Sequence, residues 1–441
     1  MNGKWILLLL AALLSVVPLA QAQDDEVELS ILQWSHFVPR YDEWFDAWAV
    51  DWGASNGAGV TVDHVSVVEL PAALAAAIEA GSGHTLFEMA FPPSAFVEGL
   101  HPLNDINEAA AAAHGERTAN CLATSYLPIN DTFFGFTHGY IPDPGDYVIS
   151  LWTDVGMPDG PSTWSDLHEG GKAILEQHGV PLGLGMSPEL DSRMVARAVI
   201  WSYGGSVQDE NENVVLNSPE TVAAVEFLAQ LQDDTMTNEV FGWDPASNNQ
   251  GLIAGELSYI LNSISAYRSL QKIDEAAAAD IGFVQALSGP AGAFASSHVW
   301  QIYVIPNYVE GAELEAAKQF ILDHTATYSD AVYHSELYNF PCYPSTVPEL
   351  SGWLVDDPFG SNPPDKLQVL ETVNDWSVYL GYPGTANPAI SQLFAENTLV
   401  NMVASVALGE KTAEEAVAEA HARAEAVFEE WRAKGLVGGG E

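Results

Sequence analysis

Basic residues are scarce in this chain: 14 lysines and arginines stand against 60 aspartates and glutamates, a formal net charge of −46 over 441 residues. That balance excludes a nucleic-acid partner, which needs a basic footprint, and argues against an anionic membrane surface. The acidity fits either a preference for cationic ligands or a surface adapted to a salty habitat, and the even scatter of acidic residues favours the second. Cysteine is nearly absent. Cys121 and Cys342 are far apart in sequence, and a disulfide between them and two isolated buried thiols both stay open. Catalytic signatures are missing too: no G-x-S-x-G, no H-E-x-x-H and no P-loop. His36, His64, His84 and His101 are too dispersed to read as a metal site. No enzymatic activity, cofactor or metal is therefore expected.

Beyond the first two dozen residues no segment is long and apolar enough to span a bilayer. The start itself has three zones. Lys4 supplies a positive charge, Trp5 to Val17 is a short apolar run, and Ala20-Gln21-Ala22 is a small-residue cleavage signal before Asp24-Asp25-Glu26. Residues 1–23 read as a cleavable signal peptide. With no cysteine beside the cleavage point to carry a lipid, a soluble periplasmic or extracytoplasmic protein is expected.

About 420 residues then remain, too many for one ordinary core, so two lobes are the default. Strands and helices alternate along them. Val27, Leu29 and Ile31 alternate with polar residues in a strand ending near Trp34, and Tyr41, Trp44, Phe45, Trp48 and Trp52 follow at helical spacing as core packing. Val60 to Val67 reads as a strand, and Leu70-Pro71 opens a helix that Gly81 closes. Tyr147–Leu151, Leu257–Leu261, Ile281–Val284 and Val299–Ile305 are further expected strands. Thr163 with Asp166, and Thr412 with Glu415, mark helix starts. Such alternation implies open α/β sheets.

The order of segments carries a resemblance. Leu70–Gly81 (LPAALAAAIEAG), Gly99-Leu100-His101-Pro102-Leu103, Trp152–Gly156 followed by Ser162–Leu167 (STWSDL), Gly204-Gly205 with Asn217-Ser218-Pro219-Glu220, Gly255–Asn262 and Gly409–Ala416 follow one another at matching spacing. Together they resemble the extracellular solute-binding proteins of ABC importers, the maltose-binding-protein-like family 1. One departure is Gly83-His84-Thr85-Leu86-Phe87-Glu88, which lacks that family's aspartate, and the Phe91-Pro92-Pro93-Ser94 loop after it is also unusual.

The resemblance implies a type II periplasmic-binding-protein fold: two α/β lobes joined by crossing strands. Lobe one would take 24–138 plus 281–328, lobe two 139–280 plus 329–431, and 432–441 would be a flexible tail. It further implies a monomer that captures a small solute, a sugar or polyol, between the lobes and delivers it to permease subunits. Loops at strand ends supply the candidate contacts: Trp34, His36, Phe37, Asp143, Asp146, Glu189, Asp191, Arg193, Trp243, Asn262, His298, Trp300, Tyr382 and Asn387. Flat aromatic faces suit sugar C–H groups, and planar polar side chains suit paired hydroxyls. A polyamine held by Asp143, Asp146, Glu189 and Asp191 is an alternative, as is a secreted glycoside hydrolase, which needs two carboxylates across a cleft.

Overall fold

The computed structural model describes residues 27–440, so the expected signal peptide lies outside the described residues. Two main sheets are built from β1 (Val27–Trp34), β2 (Ala58–Val65), β3 (Leu86–Met89), β4 (Phe136–Ile141), β5 (Gly145–Val148), β6 (Tyr259–Leu261), β7 (Ile281–Val284), β8 (Val299–Val304) and β9 (Phe340–Pro341). The helices that matter below are α1 (Pro39–Asn56), α2 (Leu70–Ala80), α3 (Trp164–His178), α4 (Leu190–Tyr203), α5 (Pro219–Thr235), α6 (Ser265–Ile273), α7 (Gly311–Ala326), α8 (Pro388–Ala395) and α9 (Ala413–Ala433). Among the described residues no helix is long and apolar enough to cross a membrane.

The six-stranded sheet has the order β9-β4-β8-β3-β1-β2. β1 pairs in parallel with β2, from Val27 opposite Ala58 to Trp34 opposite Val65, and with β3. β8 runs antiparallel to both β3 and β4. The aromatic stripe of α1 packs this sheet as expected: Tyr41, Phe45 and Trp52 are buried, and Phe45 meets Phe320 and His324 of α7 edge-on at 6.0 and 5.3 Å. Leu70 and Leu74 of α2 face the same core, and the helix stops where Gly81 turns left-handed (φ 64°).

The three-stranded sheet has the order β6-β5-β7, with β5 antiparallel to both neighbours. At Gly145 a Cβ would run into the Tyr259 ring and hydroxyl, so only glycine lets β5 lie this close to β6. Nearly every residue of α4 is buried, packed against α5 and the C-terminal helices. Thr163 and Thr412 make full capping boxes with Asp166 and Glu415.

Several boundaries differ from the sequence expectation. β7 hydrogen-bonds to β5, so 281–284 lies in the smaller sheet and not in lobe one. β9 pairs with β4, which puts Phe340 and Pro341 in the larger sheet although they fall within 329–431. β4 itself runs through the expected boundary at 138–139. Ile149–Asp154 is helical, which cuts short the strand expected to reach Leu151. The glycine tail is docked: Arg432 Nε donates to the Gly438 carbonyl at 2.8 Å, and the Gly440 N–H donates to Asn213 Oδ1 at 3.0 Å.

Candidate functional site

Strand polarity decides which loops meet. β1, β2, β3 and β4 all end at one edge of the larger sheet, and β8 and β9 begin there. Residues 35–38, 66–69, 90–93, 142–144, 297–298 and 338–339 therefore share that edge. From the smaller sheet, β5 begins at the same place and β6 ends there, which adds 262–263. An edge of this kind between two α/β layers is where such folds hold ligands.

A connected polar and aromatic group forms the floor. The Trp34 ring stacks on His36 at 4.7 Å, and His36 meets Tyr338 edge-on at 4.9 Å. The Val38 N–H donates to His36 Nδ1 at 2.9 Å, so Nε2 carries the ring proton and donates to Asn339 Oδ1 at 2.8 Å. Burial pushes the His36 imidazole down to about 4 and keeps it neutral. Phe37 lies edge-on to His298 at 6.4 Å. His298 Nδ1 is 3.2 Å from Asp143 Oδ1 and 3.6 Å from Asp191 Oδ1.

The carboxyls of Asp143, Asp146 and Asp191 are all pushed up by burial. Asp143 also raises Asp146, and Glu189 and Asp143 also raise Asp191. Asp143 Oδ2, both oxygens of Asp146, Asp191 Oδ1, Ser263 Oγ and Asn339 Nδ2 are buried with no hydrogen-bond partner among the described residues. Buried polar atoms are rarely left unpaired; these six meet at one edge, and others lie inside the larger sheet at Gln33, His138 and Gln301.

The loops 66–69 and 90–93 of the same edge border a cavity of 440 Å³, which the floor side chains themselves do not line. One wall is Met89, Phe91, Pro93 and Phe96; the other is Leu190 and Arg193 of α4 with Gln392 and Phe394 of α8. Phe91 and Phe394 approach across it at 4.5 Å, and Ser391 Oγ donates to the Pro92 carbonyl at 3.0 Å.

Of the residues named from sequence, Trp34, His36, Phe37, Asp143, Asp146, Asp191 and His298 are drawn to the floor, and Arg193 to the cavity wall. Glu189 sits beside them but caps α4, accepting from the N–H groups of Asp191 and Ser192. Asn262 adjoins the floor, its N–H donating to the Pro144 carbonyl at 3.2 Å and its amide to Asn249 at 2.7 Å. The others lie elsewhere. Trp300 is buried within β8 against Tyr140 at 5.5 Å, as core. Trp243 lines a separate cavity of 290 Å³ with Pro181 and Leu257. Tyr382 packs on Phe294 at 5.7 Å behind α4. Asn387 caps α8, accepting from the Ile390 N–H at 3.0 Å. Sequence reasoning missed Tyr338, Asn339, Ser263 and Phe394; the Phe91-Pro92-Pro93 departure was the one signal that pointed at the cavity.

A model of the bacterial extracellular solute-binding proteins matches residues 47–358. The chain belongs to that family. No curated protein matches it in sequence. Solved structures share the fold across nearly the whole chain. Maltose-bound MalE3 of Thermotoga maritima is 18% identical with a TM-score of 0.74, covering 91% of this chain and 99% of that one. A sugar transporter protein from Arthrobacter chlorophenolicus with bound laminaribiose is 15% identical with a TM-score of 0.75, covering 91% and 99%. An ABC transporter solute-binding protein from Agrobacterium radiobacter in complex with ribitol is 17% identical with a TM-score of 0.70, covering 92% and 99%. These likenesses establish the two-lobed fold, and the family places the chain among binding proteins that work outside the cell.

A carboxyl raised by burial stabilises the fold only while protonated, so the Asp146 contribution is lost as pH rises above the ordinary carboxyl value of about 3.8. Asp146→Asn is expected to raise the unfolding temperature of the ligand-free protein at pH 7. The gain should vanish near pH 3, which a pair of calorimetric scans would check.

Proposed function

We propose that this protein is the solute-capturing component of an ABC importer and closes its lobes around a carbohydrate or polyol. The observation that carries the reading is the set of unpaired buried atoms at the floor, Asp143 Oδ2, Asp146 Oδ1 and Oδ2, Asp191 Oδ1, Ser263 Oγ and Asn339 Nδ2. Hydroxyl groups both donate and accept, so a polyhydroxylated ligand can satisfy carboxylate acceptors and an amide donor together. The apolar cavity wall offers Phe91, Phe96 and Phe394 to sugar C–H faces. Maltose, laminaribiose and ribitol in the similar structures support the same class. The protein acts as a monomer outside the cytoplasm and hands its cargo to permease subunits that recognise the closed form.

A second reading, a polyamine ligand, is favoured by one feature: Asp143, Asp146 and Asp191 converge with unpaired oxygens. A thermal-shift panel of sugars, polyols and polyamines separates the two. A hydroxylated solute at 100 times its Kd should stabilise by about 2.7 kcal/mol, a rise of roughly 5 °C or more for lobes of this size. Asp146→Asn should weaken that solute by about 3- to 10-fold, the worth of a hydrogen bond to an uncharged carboxyl. A shift with spermidine alone would select the polyamine. No shift with any solute, together with measurable hydrolysis of a glycoside, would overturn both in favour of an enzyme.

A further inference from the structure

Most arginines in this chain find polar partners, and Arg40 rests only on the Tyr333 and Phe359 rings, at 5.0 and 5.1 Å, outside the cleft cavity. Arg268 pairs with Asp357 and Arg423 with Glu396. Arg117 has no carboxylate, but its guanidinium donates to Asn107 and Tyr343. Arg432 donates to the carbonyls of Gly438 and Glu212. Arg193 differs. Its one side-chain hydrogen bond among the described residues is from Nε to Asn397 Oδ1 at 2.7 Å, so its two terminal nitrogens are free, and it lines the 440 Å³ cleft cavity.

The surroundings hold that guanidinium in place without neutralising it. It rests on the Phe394 ring at 4.6 Å, and Arg197, one turn further along α4, rests on the same ring at 4.5 Å. Arg197 Nη1 donates to the Arg193 carbonyl at 2.6 Å. Neither arginine has a carboxylate within 4.0 Å among the described residues, although Glu189 is only one turn before Arg193 on the chain. Glu189 is held by the N–H groups at the start of α4 and cannot turn outward without uncapping it. Arg193 faces the cleft cavity while Arg197 lies behind it in a neighbouring pocket, and the one carboxylate acting on Arg193, Glu189, is committed to the α4 cap, so the cleft side of the guanidinium can take a further anion. A hydroxyl would take a single N–H and leave the charge. A carboxylate or sulfate takes two parallel N–H groups and cancels it.

We infer that Arg193, backed by Arg197 and the Phe394 ring, is an anion-binding subsite in the cleft, and that the captured solute is an acidic sugar carrying a uronate carboxylate or a sulfate ester. This rests on the carbohydrate reading above and narrows it. The subsite lies on the α4–α8 wall, and the apolar wall of Met89, Phe91, Pro93 and Phe96 faces it across the cavity. The local charge at the cleft wall is opposite to the net charge of the chain.

The test is calorimetric titration of the mature protein with digalacturonate, galactobiose, a sulfated disaccharide and adipate. At least one acidic disaccharide should bind about 10-fold or more tighter than the neutral one. Arg193→Gln should abolish that preference, read as the ratio of acidic to neutral affinity within the variant. Arg193→Lys, which keeps the charge but loses the fork, should retain part of it, and it decides the matter if the glutamine variant does not fold. Equal binding of galactobiose and both acids, or an acid preference that survives Arg193→Gln, overturns the subsite and leaves the carbohydrate reading standing. Adipate bound through Arg193 with no sugar bound keeps the subsite and overturns the carbohydrate reading. Failure of every acid to bind overturns the subsite.

Discussion

Replacing Cys121 and Cys342 by serine should cost about 5 kcal/mol and lower the unfolding temperature by roughly 10 °C or more. The two residues form a disulfide and are 221 positions apart, with Cα atoms at 5.7 Å. Cys121 sits on the short helix Ala119–Ala123, and Cys342 follows β9. The backbone already joins these segments: the Thr118 N–H donates to the Cys342 carbonyl at 2.9 Å, and the Cys342 N–H to the His138 carbonyl at 3.1 Å. The crosslink thus closes a loop that contains β5, β6 and β7, the whole of the smaller sheet. Opening so long a loop releases the unfolded chain, and the closure-entropy argument gives the figure above. Reductant should produce the same shift in the native protein and none in the double serine variant. A change below about 3 °C would contradict the argument. A bond of this kind persists only in an oxidising compartment, which agrees with a family that works outside the cell.

That pairing was closed to sequence reasoning because nothing local connects residues 221 apart. What was legible had a local cause. β1 and α1 show clean periodicity, Gly81 ends α2, and Thr163 and Thr412 announce their helices through side chains three residues away. β9 is two residues long and carries no pattern; only its partner β4 defines it. The candidate site divides in the same way. Loops at strand ends are visible wherever the strands are, so Trp34, His36, Asp143 and His298 could be named. Trp300 could not be separated from them, because a tryptophan near a strand end reads alike whether it turns into the core or the cleft. The cavity walls needed the fold itself, since Phe91 and Phe394 meet only when the lobes do.

Asp357→Ala should destabilise the protein by about 3–5 kcal/mol, the usual consequence of leaving a buried charge unpaired. Arg268 of α6 reaches Asp357 at 2.7 Å with both side chains almost wholly buried, at 1% and 0% exposure. Its Nε also donates to the Glu336 carbonyl at 2.9 Å, just ahead of β9. One guanidinium therefore ties a helix of the smaller-sheet lobe to the segment entering the larger sheet. Asp357 in turn accepts from the Phe359 N–H at 2.9 Å and from Ser361, whose hydroxyl meets Tyr267 at 2.9 Å. Removing the carboxylate strands the arginine and loosens this loop together. The pair itself is not the source of the loss, because desolvating two charges offsets most of what their attraction contributes. Arg268→Met combined with Asp357→Asn, which keeps an acceptor for the Phe359 N–H, should consequently lose less than Asp357→Ala alone. Urea unfolding of the two variants distinguishes the cases. If the double variant is the less stable one, the ion pair contributes net stability and the tie between the lobes is stronger than a desolvated charge pair can account for.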